Sequence, residues 1–260
     1  MKNGWAVAGC LSSRFGDALS YVDGTFYNGY SYFLTAEKQF NREHALNLTA
    51  FGAPTTRGLQ GNSVQEVYDL LGDNYYNPNW GWYNGEKRNA RVRSVHEPVI
   101  MLSHFYTPED KNLEITTTVA TTFGSNNVTS LNWNDVQDPR PDYYRYLPSY
   151  FIDKEHPEDT QLYDYYTNAW KNNASLRQID WDYMYNVNQT AAAMGNRAQY
   201  MVENRNCDHF QLAGSSHIVA DLTDHIKLTA GLNVRGMKQR NYKTINDLLG
   251  GRFWLDVDKI

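Results

Sequence analysis

The feature that most constrains the fold is an alternation of apolar and polar side chains along segments of about ten residues. In residues 226–236 the even positions are apolar or small, whereas Lys227, Thr229, Asn233 and Arg235 occupy odd positions. The same period of two recurs in residues 5–11, 44–52 and 113–123. This period is typical of β-strands, so we predict a sheet with one apolar face.

Short and long connections alternate between these predicted strands. The connections at residues 41–43, 108–112 and 222–225 are a few polar turn residues, whereas residues 53–94 and 125–195 are far longer. Tight turns at one end of an antiparallel sheet and long loops at the other are the layout of a bacterial outer-membrane barrel. We therefore predict an all-β fold, an antiparallel transmembrane β-barrel segment with long extracellular loops.

Seven strands are predicted, and each meets or nearly meets the roughly 9 to 11 residues that a tilted strand needs to cross a bilayer, with residues 197–222 exceeding that length. They lie at residues 5–15, 26–40, 45–53, 95–106, 113–123, 197–222 and 226–240. Unpaired sheet edges in lipid cost several kcal/mol per orphaned backbone group, and seven antiparallel strands cannot close a barrel alone. We treat residues 1–260 as one incomplete barrel domain, to be completed by missing strands or by self-association.

Composition narrows the classes of partner. The chain has 24 Lys and Arg against 29 Asp and Glu, and a net charge of -5 argues against nucleic acid as a partner. No segment approaches the ~18 consecutive apolar residues that a membrane-spanning helix needs. The 20 Tyr and 7 Trp suit both the aromatic girdles of membrane barrels and contacts with sugars or planar ligands. Because the first residues lack the pattern of a signal peptide, we expect the export signal upstream.

Four segments resemble the barrel of a TonB-dependent receptor of the Bacteroidetes type, namely residues 1–17, 77–81, 84–93 and 138–148. The resemblance implies a barrel of about 22 strands whose lumen is occluded by an N-terminal plug, with energy supplied by the TonB complex. No plug is recognisable in this sequence. The resemblance thus implies a section of barrel wall and outer loops in the cell outer membrane. Its expected partners are the missing plug and strands, the TonB complex through that plug, the lipid bilayer and lipopolysaccharide.

Two loop segments carry the candidate ligand-binding residues. In residues 138–148, prolines would fix the backbone and hold polar aromatic side chains for contact with a ligand. The candidates are Asp142, Tyr143, Tyr144, Arg145 and Tyr146. Trp80, Trp82 and Tyr83 could form a stacking platform for a sugar or an aromatic ligand. In both segments packing against neighbouring loops is the alternative interpretation, and the small ligand or glycan stays unknown.

Two further loop features are visible in the sequence. Residues 63–71 predict a short helix with Ser63 as its N-cap and an apolar stripe that packs on the loop itself. The segment that follows, residues 77–85, is dense in turn-forming residues and is predicted to be irregular. A basic stretch could bind lipopolysaccharide phosphates or an anionic substrate, or be a solvated strand end. It contains Lys87, Arg88, Arg91 and Arg93.

Charged and polar residues at alternate strand positions are predicted to line the lumen, since Lys or Arg facing lipid at the midplane costs about 2–4 kcal/mol. These are Glu37, Glu114, Lys227, Asn233 and Arg235. The histidines have no metal-ligand spacing and no Cys/His cluster is present, so neither a metal site nor a cofactor is predicted. We also predict that the chain is not an enzyme.

The predicted function is to form the wall and ligand-gathering loops of an outer-membrane receptor for TonB-driven nutrient uptake. One alternative is a secreted glycan-binding β-sandwich, which needs two opposed apolar faces and short strands. A second alternative is a small independent barrel acting as an adhesin or channel, which needs an even strand number and a complete signal-bearing N-terminus.

Overall fold

The computed structural model describes residues 3–16, 20–109 and 112–256. Its strands are β1 (Trp5–Gly16), β2 (Phe26–Gln39), β3 (His44–Gly52), β4 (Thr55–Gly58), β5 (Trp80–Tyr83), β6 (Glu86–Asn89), β7 (Val92–His96), β8 (Val99–Tyr106), β9 (Leu113–Trp133), β10 (Tyr200–Thr223) and β11 (Ile226–Asp247). Its α-helices are α1 (Gln65–Leu71), α2 (Gln161–Asn172) and α3 (Trp181–Ala193). Short 3-10 turns lie at Tyr144–Tyr146, Pro148–Phe151 and Ala174–Arg177.

Nine of the strands form one antiparallel sheet. Across the sheet β1 is followed by β2. The next position is shared end to end by β3 and β4, and the one after it by β8 and β7. β9, β10 and β11 then complete the sheet. All seven predicted strands are present, and the prediction of an antiparallel, mainly β fold is confirmed. β1 and β11 each pair with a single strand among the described residues, so the sheet has two edges and a closed barrel is not observed.

Several predicted strand ends were wrong. The strand predicted at residues 113–123 continues to Trp133, and the one predicted to end at residue 240 continues to Asp247. Pairing with β10 carries both strands onward, because the ladder supplies hydrogen bonds that outweigh local turn preferences such as those of residues 124–127. The second long connection therefore begins at residue 134. The predicted turn at residues 108–112 lies partly outside the described residues.

The strand predicted at residues 95–106 is interrupted, giving β7 and β8. The break falls at Glu97–Pro98, beside a similar break at Ala53–Pro54 between β3 and β4. Register is unchanged across both breaks, since proline only removes a backbone donor from the ladder. In the adjacent β9, Gly124 has a φ of 144° and lies so close to the His96 carbonyl that a Cβ would be 2.0 Å from its oxygen. We call this line of irregularities the seam.

Registers across the sheet place the apolar side chains on one side, which we call the apolar face. Val7 lies opposite Ala36, Leu48 opposite Leu102, and Gly214 opposite Val234. Within residues 5–15, 113–123, 210–222 and 226–236, this face carries no Lys, Arg, Asp or Glu. The first charges above it, toward the long connections, are Asp208, Lys238 and Arg240.

The apolar face is exposed along most of its length. Leu11 is 85% exposed, Leu232 68% and Leu212 49%. Higher on the same face of β10, Tyr200 and Val202 are almost completely buried because α3 packs against them. The apolar face is thus covered at its upper end and uncovered in the stretch below.

The packed cores lie in the long connections, which we call the loop layer. One cluster joins α3 to the upper ends of the strands through Trp181, Met184, Tyr200 and Leu249. A second cluster packs Val67 of α1 against Tyr76 of the same connection and against Leu147 and Trp170 of the other long connection, so the prediction that this helix packs on its own loop was correct only in part. No α-helix in the described part of the chain is both long and apolar enough to cross a membrane.

The predicted irregular segment is partly regular. Residues 80–83 and 86–89 pair as the β5–β6 hairpin, whose turn residues Asn84 and Gly85 both have positive φ, 50° and 78°. These are the backbone angles of the type I′ turn that favours Asn-Gly. The turn chemistry at 84–85 thus outweighs the density of turn formers in residues 77–81, and the prediction of irregular structure was wrong there.

Candidate functional site

A cleft of about 640 Å³ lies in the loop layer, between the proline-rich segment 138–148 and the helices α2 and α3. Aromatic side chains dominate its wall. They include Trp82, Tyr146, Phe151, Tyr166, Tyr183 and Tyr200. Two of these rings, those of Phe151 and Tyr166, are stacked with centroids 3.7 Å apart. Stacked and edge-on rings of this kind present flat apolar surfaces with polar rims to a ligand.

An ion pair fixes the proline-rich wall of the cleft. Arg140 holds Asp138 through two hydrogen bonds, from Nη2 to Oδ2 at 2.6 Å and from Nε to Oδ1 at 3.0 Å. This hydrogen bonding to Asp138 raises the pKa of Arg140 further above its usual value. The Arg140 guanidinium also lies 5.3 Å from the ring centroid of Trp133. Asp138 therefore serves to hold the wall in position.

Tyrosine hydroxyls on the cleft wall are held by backbone carbonyls. Tyr146 donates to the Asp138 carbonyl at 2.8 Å, and Tyr200 donates to the Gln137 carbonyl at 2.7 Å. Burial raises the pKa of both hydroxyls, so both stay protonated at neutral pH. These two phenols of the cleft wall are therefore neutral.

Only part of the predicted 142–146 set reaches this cleft. Arg145 and Tyr146 line it. Asp142 instead accepts a hydrogen bond from Ser63 Oγ at 2.8 Å, and burial raises the pKa of its carboxyl. Tyr143 and Tyr144 pack edge to face, with centroids 4.7 Å apart. The proline-rich loop thus both packs on its neighbours and supplies cleft residues, which combines the two interpretations of the sequence.

The predicted platform of Trp80, Trp82 and Tyr83 is divided by the hairpin. Trp82 is half exposed and lines the cleft. Trp80 is buried, with the Lys87 ammonium 5.2 Å from its ring centroid. Tyr83 stacks on Tyr185 of α3 at 4.7 Å. Trp80 and Trp82 share one face of the hairpin, with ring centroids 6.0 Å apart and edge to face, whereas Tyr83 points to the opposite face, so the three rings do not form one platform.

The helices supply cleft residues that were not among the predicted ligand-binding residues. Tyr166 lies on α2 and Tyr183 on α3. A signal for α3 was present, because Asp180 precedes the helix and its side chain accepts from the Tyr183 amide at 2.8 Å, as an N-cap does. The apolar residues that follow it, Trp181, Met184 and Tyr185, have helical spacing.

All five residues predicted to line the lumen lie on one side of the sheet, opposite the apolar face. We call this side the polar face. Glu37 is opposite Asn47, and Lys227 is opposite Asp221. Glu114, Asn233 and Arg235 occupy the same face by register. Whether that face encloses a lumen stays a prediction.

The predicted basic stretch is dispersed by the fold. Lys87 pairs with Asp23 at 2.6 Å, and Arg88 pairs with Asp247 at 2.6 Å while its guanidinium lies 4.2 Å from the Trp181 ring centroid. Arg91 lines a second cavity, and Arg93 lies on β7 with its side chain on the polar face. Among the described residues no group of three or more His, Cys, Asp or Glu could hold a metal ion.

Comparison with known proteins does not assign this chain to a family. No protein-family model and no curated protein matches the chain. A solved structure described as the FpvAI-pyocin S2 complex is similar at 13% identity with a TM-score of 0.30. The match covers 95% of this chain and 35% of that chain, so this chain spans about a third of its length. At this TM-score the similarity carries no functional conclusion, and membership of the TonB-dependent receptors stays a prediction.

Proposed function

We propose that this chain forms part of the wall and the outer loops of an outer-membrane receptor for nutrient uptake, with its apolar face in contact with lipid. The observation that carries the proposal is the exposed apolar face below the loop layer, which is free of charged residues within residues 5–15, 113–123, 210–222 and 226–236. An exposed apolar surface of this extent marks a partner surface or a membrane contact. Its continuity across β1, β2, β3, β8, β9, β10 and β11 favours a membrane.

The dimensions of this face support the same proposal. Residues 113–123 are uncharged on the apolar face. Ten residue steps of about 3.3 Å, tilted by about 40°, cover roughly 25 Å. That is the height of the apolar band in outer-membrane barrels. Aromatic rings lie near both limits, with Trp5 at the lower end and the Phe15–Tyr30 pair at the upper end.

The β-sandwich alternative requires a second sheet against the apolar face. In the described residues the second sheet has only the two short strands β5 and β6, and these lie in the loop layer. The nine-stranded sheet also has strands of up to 24 residues, far longer than the usual 5 to 6. These features favour the membrane proposal over a sandwich.

In the proposed receptor the cleft gathers a small ligand or glycan by stacking, and the chain is not an enzyme. The partners that complete it are the remaining barrel strands, a plug, and the TonB complex acting through that plug. The neutral phenols and the Asp138–Arg140 pair are consistent with binding, since neither offers a free base to a reacting atom.

The test compares two adjacent positions of β11. Val234 is on the apolar face and Asn233 is on the polar face. Val234→Arg should reduce insertion into lipid vesicles by the equivalent of about 2–4 kcal/mol, whereas Asn233→Arg should insert like the parent chain. Insertion is measured by protection of the strands from added protease. Equal insertion of both variants, or no protection of the parent chain, would contradict the proposal.

A further inference from the structure

The polar face carries a row of cations near its upper end, at one level of the strand register. Arg57 on β4 lies opposite Arg93 on β7, and Arg93 lies opposite Val128 on β9. Val128 lies opposite Arg205 on β10, which lies opposite Lys243 on β11. We call Arg57, Arg93, Arg205 and Lys243 the cation row. Successive members of the row are 36 to 112 residues apart in the sequence, so the row can be recognised only from the register of the strands.

The described residues do not neutralise the cation row. The one carboxylate among them that pairs with the row is Glu203, a buried side chain 2.6 Å from Arg205 and 3.4 Å from Lys243. Arg93 donates from Nε to the neutral Asn126 Oδ1 at 2.9 Å. Among the described residues Arg57 has no hydrogen-bond or ion-pair partner for its side chain, and it is exposed.

Placing like charges directly opposite one another on neighbouring strands is destabilising. The chain as a whole has a net charge of -5, so a general excess of cations does not explain the arrangement. At the β4 end of the row, Arg14 adds a further cation, with its guanidinium 5.2 Å from the ring centroid of Tyr27, the residue opposite Arg57. The repulsion is relieved when an anion lies among these side chains.

A cavity of about 360 Å³ adjoins the other end of the row. Its wall contains Arg205 and Lys243 of the row, together with Glu203, Arg91 and Arg140. Four cations therefore meet two carboxylates there, Glu203 and the Asp138 that pairs with Arg140. Space for a ligand and an excess of positive charge thus coincide.

We propose that the cation row binds an extended anionic ligand that carries several carboxylate, sulfate or phosphate groups. Neighbouring strands are about 4.8 Å apart, so the four strand intervals from Arg57 to Lys243 span roughly 19 Å, too far for one small anion to contact all four. Arginine binds each of these anionic groups through paired hydrogen bonds. The inference rests on the proposed function and specifies its substrate class, an acidic oligosaccharide or similar polyanion rather than a neutral one.

The test measures binding by the full chain refolded in detergent, using calorimetry. The probes are tetragalacturonate, a sulfated tetrasaccharide and inositol hexakisphosphate, with cellotetraose as the neutral control. At least one anionic probe should bind tenfold or more tightly than cellotetraose, and raising salt from 50 to 200 mM should weaken it. The probe that binds best identifies the anionic group.

The variant Arg57→Gln removes a charge from the row without breaking a contact, and it should weaken binding of that probe about tenfold. Arg42→Gln is the control for loss of one arginine charge, because Arg42 is exposed in the short turn between β2 and β3 and its ion pair with Glu109, 3.5 Å long, is also exposed. Equal binding of neutral and anionic probes, or equal effects of the two variants, overturns the inference. Protease protection in vesicles is scored separately. A chain that does not insert but binds anions through Arg57 refutes the receptor proposal and retains the anion site.

Discussion

Asn188 of α3 connects the loop layer to the sheet through its side-chain amide. Its Nδ2 donates to the carbonyls of Tyr200 at 2.7 Å and Leu248 at 2.8 Å. Its Oδ1 accepts from the amides of Gln199 at 2.8 Å and Tyr200 at 3.1 Å. Because removing it leaves buried backbone groups without partners, Asn188→Ala should lower the free energy of unfolding by about 3 kcal/mol. Urea unfolding followed by tryptophan fluorescence measures this.

The control for that change is Asn172→Ala. Asn172 is exposed and its side chain donates only to the Asn168 carbonyl of its own helix. Asn172→Ala should change the free energy of unfolding by less than about 0.5 kcal/mol. Similar losses in the two variants would show that Asn188 does not anchor α3.

Asp247 makes the loop layer sensitive to acid. Burial is the largest single influence and disfavours its ionisation, but hydrogen bonds from Arg88, the Leu249 amide and Tyr185 together outweigh burial and hold the pKa of Asp247 below its ordinary 3.8. Since the folded pKa lies below the unfolded one, the stabilisation is complete above the unfolded pKa and is lost as pH falls through the folded pKa. Asp247→Asn should therefore lose less stability than the parent chain below pH 3.8, as measured by unfolding at a series of pH values. Asp182→Asn, at an exposed position on α3, should keep the parent profile.

At the scale of single elements, the β5–β6 hairpin docks on the segment before α3 at very short range. The Ile179 amide donates to the Trp80 carbonyl at 2.9 Å, and a Cβ on Gly81 would be 2.0 Å from the Ile179 carbonyl oxygen. Gly81→Ala should therefore displace the hairpin, cost about 1–3 kcal/mol, and speed hydrogen exchange at the Ile179 amide. Gly236→Ala on β11, where a Cβ meets nothing within 4 Å, should leave that exchange rate unchanged. Slow exchange in both variants would mean that the contact is dispensable.

Elements with a strict period could be predicted from the sequence, and elements that depend on distant partners could not. The alternation in β11 gave its position and its faces directly. The helix at residues 65–71 was also predictable, but its cap was not, because Ser63 donates to Asp142 instead of capping α1. That hydrogen bond joins two loops 79 residues apart. Local capping rules do not include such a partner.

At the scale of the whole molecule, the two edges of the sheet should be its least protected strands. β9 and β10 pair on both sides, whereas β1 and β11 pair on one side among the described residues. Amide hydrogen exchange of the inserted chain should be faster in β1 and β11 than in β10, because local opening there breaks hydrogen bonds with one neighbour only. Equal protection in all of these strands would mean that the edges pair with each other or with another copy.

The candidate site could be predicted only in part, because strand pairing brings together residues that are far apart in the sequence. Trp82, Arg145 and Tyr146 were identified from composition and proline spacing, and they meet in the cleft. The cation row could not be identified, because only the pairing register brings Arg57 and Lys243 to one level. A sequence shows which residues can bind a ligand, and the register decides which of them do so together.

The seam divides the main sheet into an upper and a lower part that share one register. Pro54 and Pro98 interrupt two neighbouring strands at nearly the same height, and Gly124 lies beside them in the continuous β9, while the offsets between the strands stay constant above and below. Proline removes a hydrogen bond from the ladder without shifting the pairing. The rim that carries the arginines therefore stays in line with the apolar stretch beneath it.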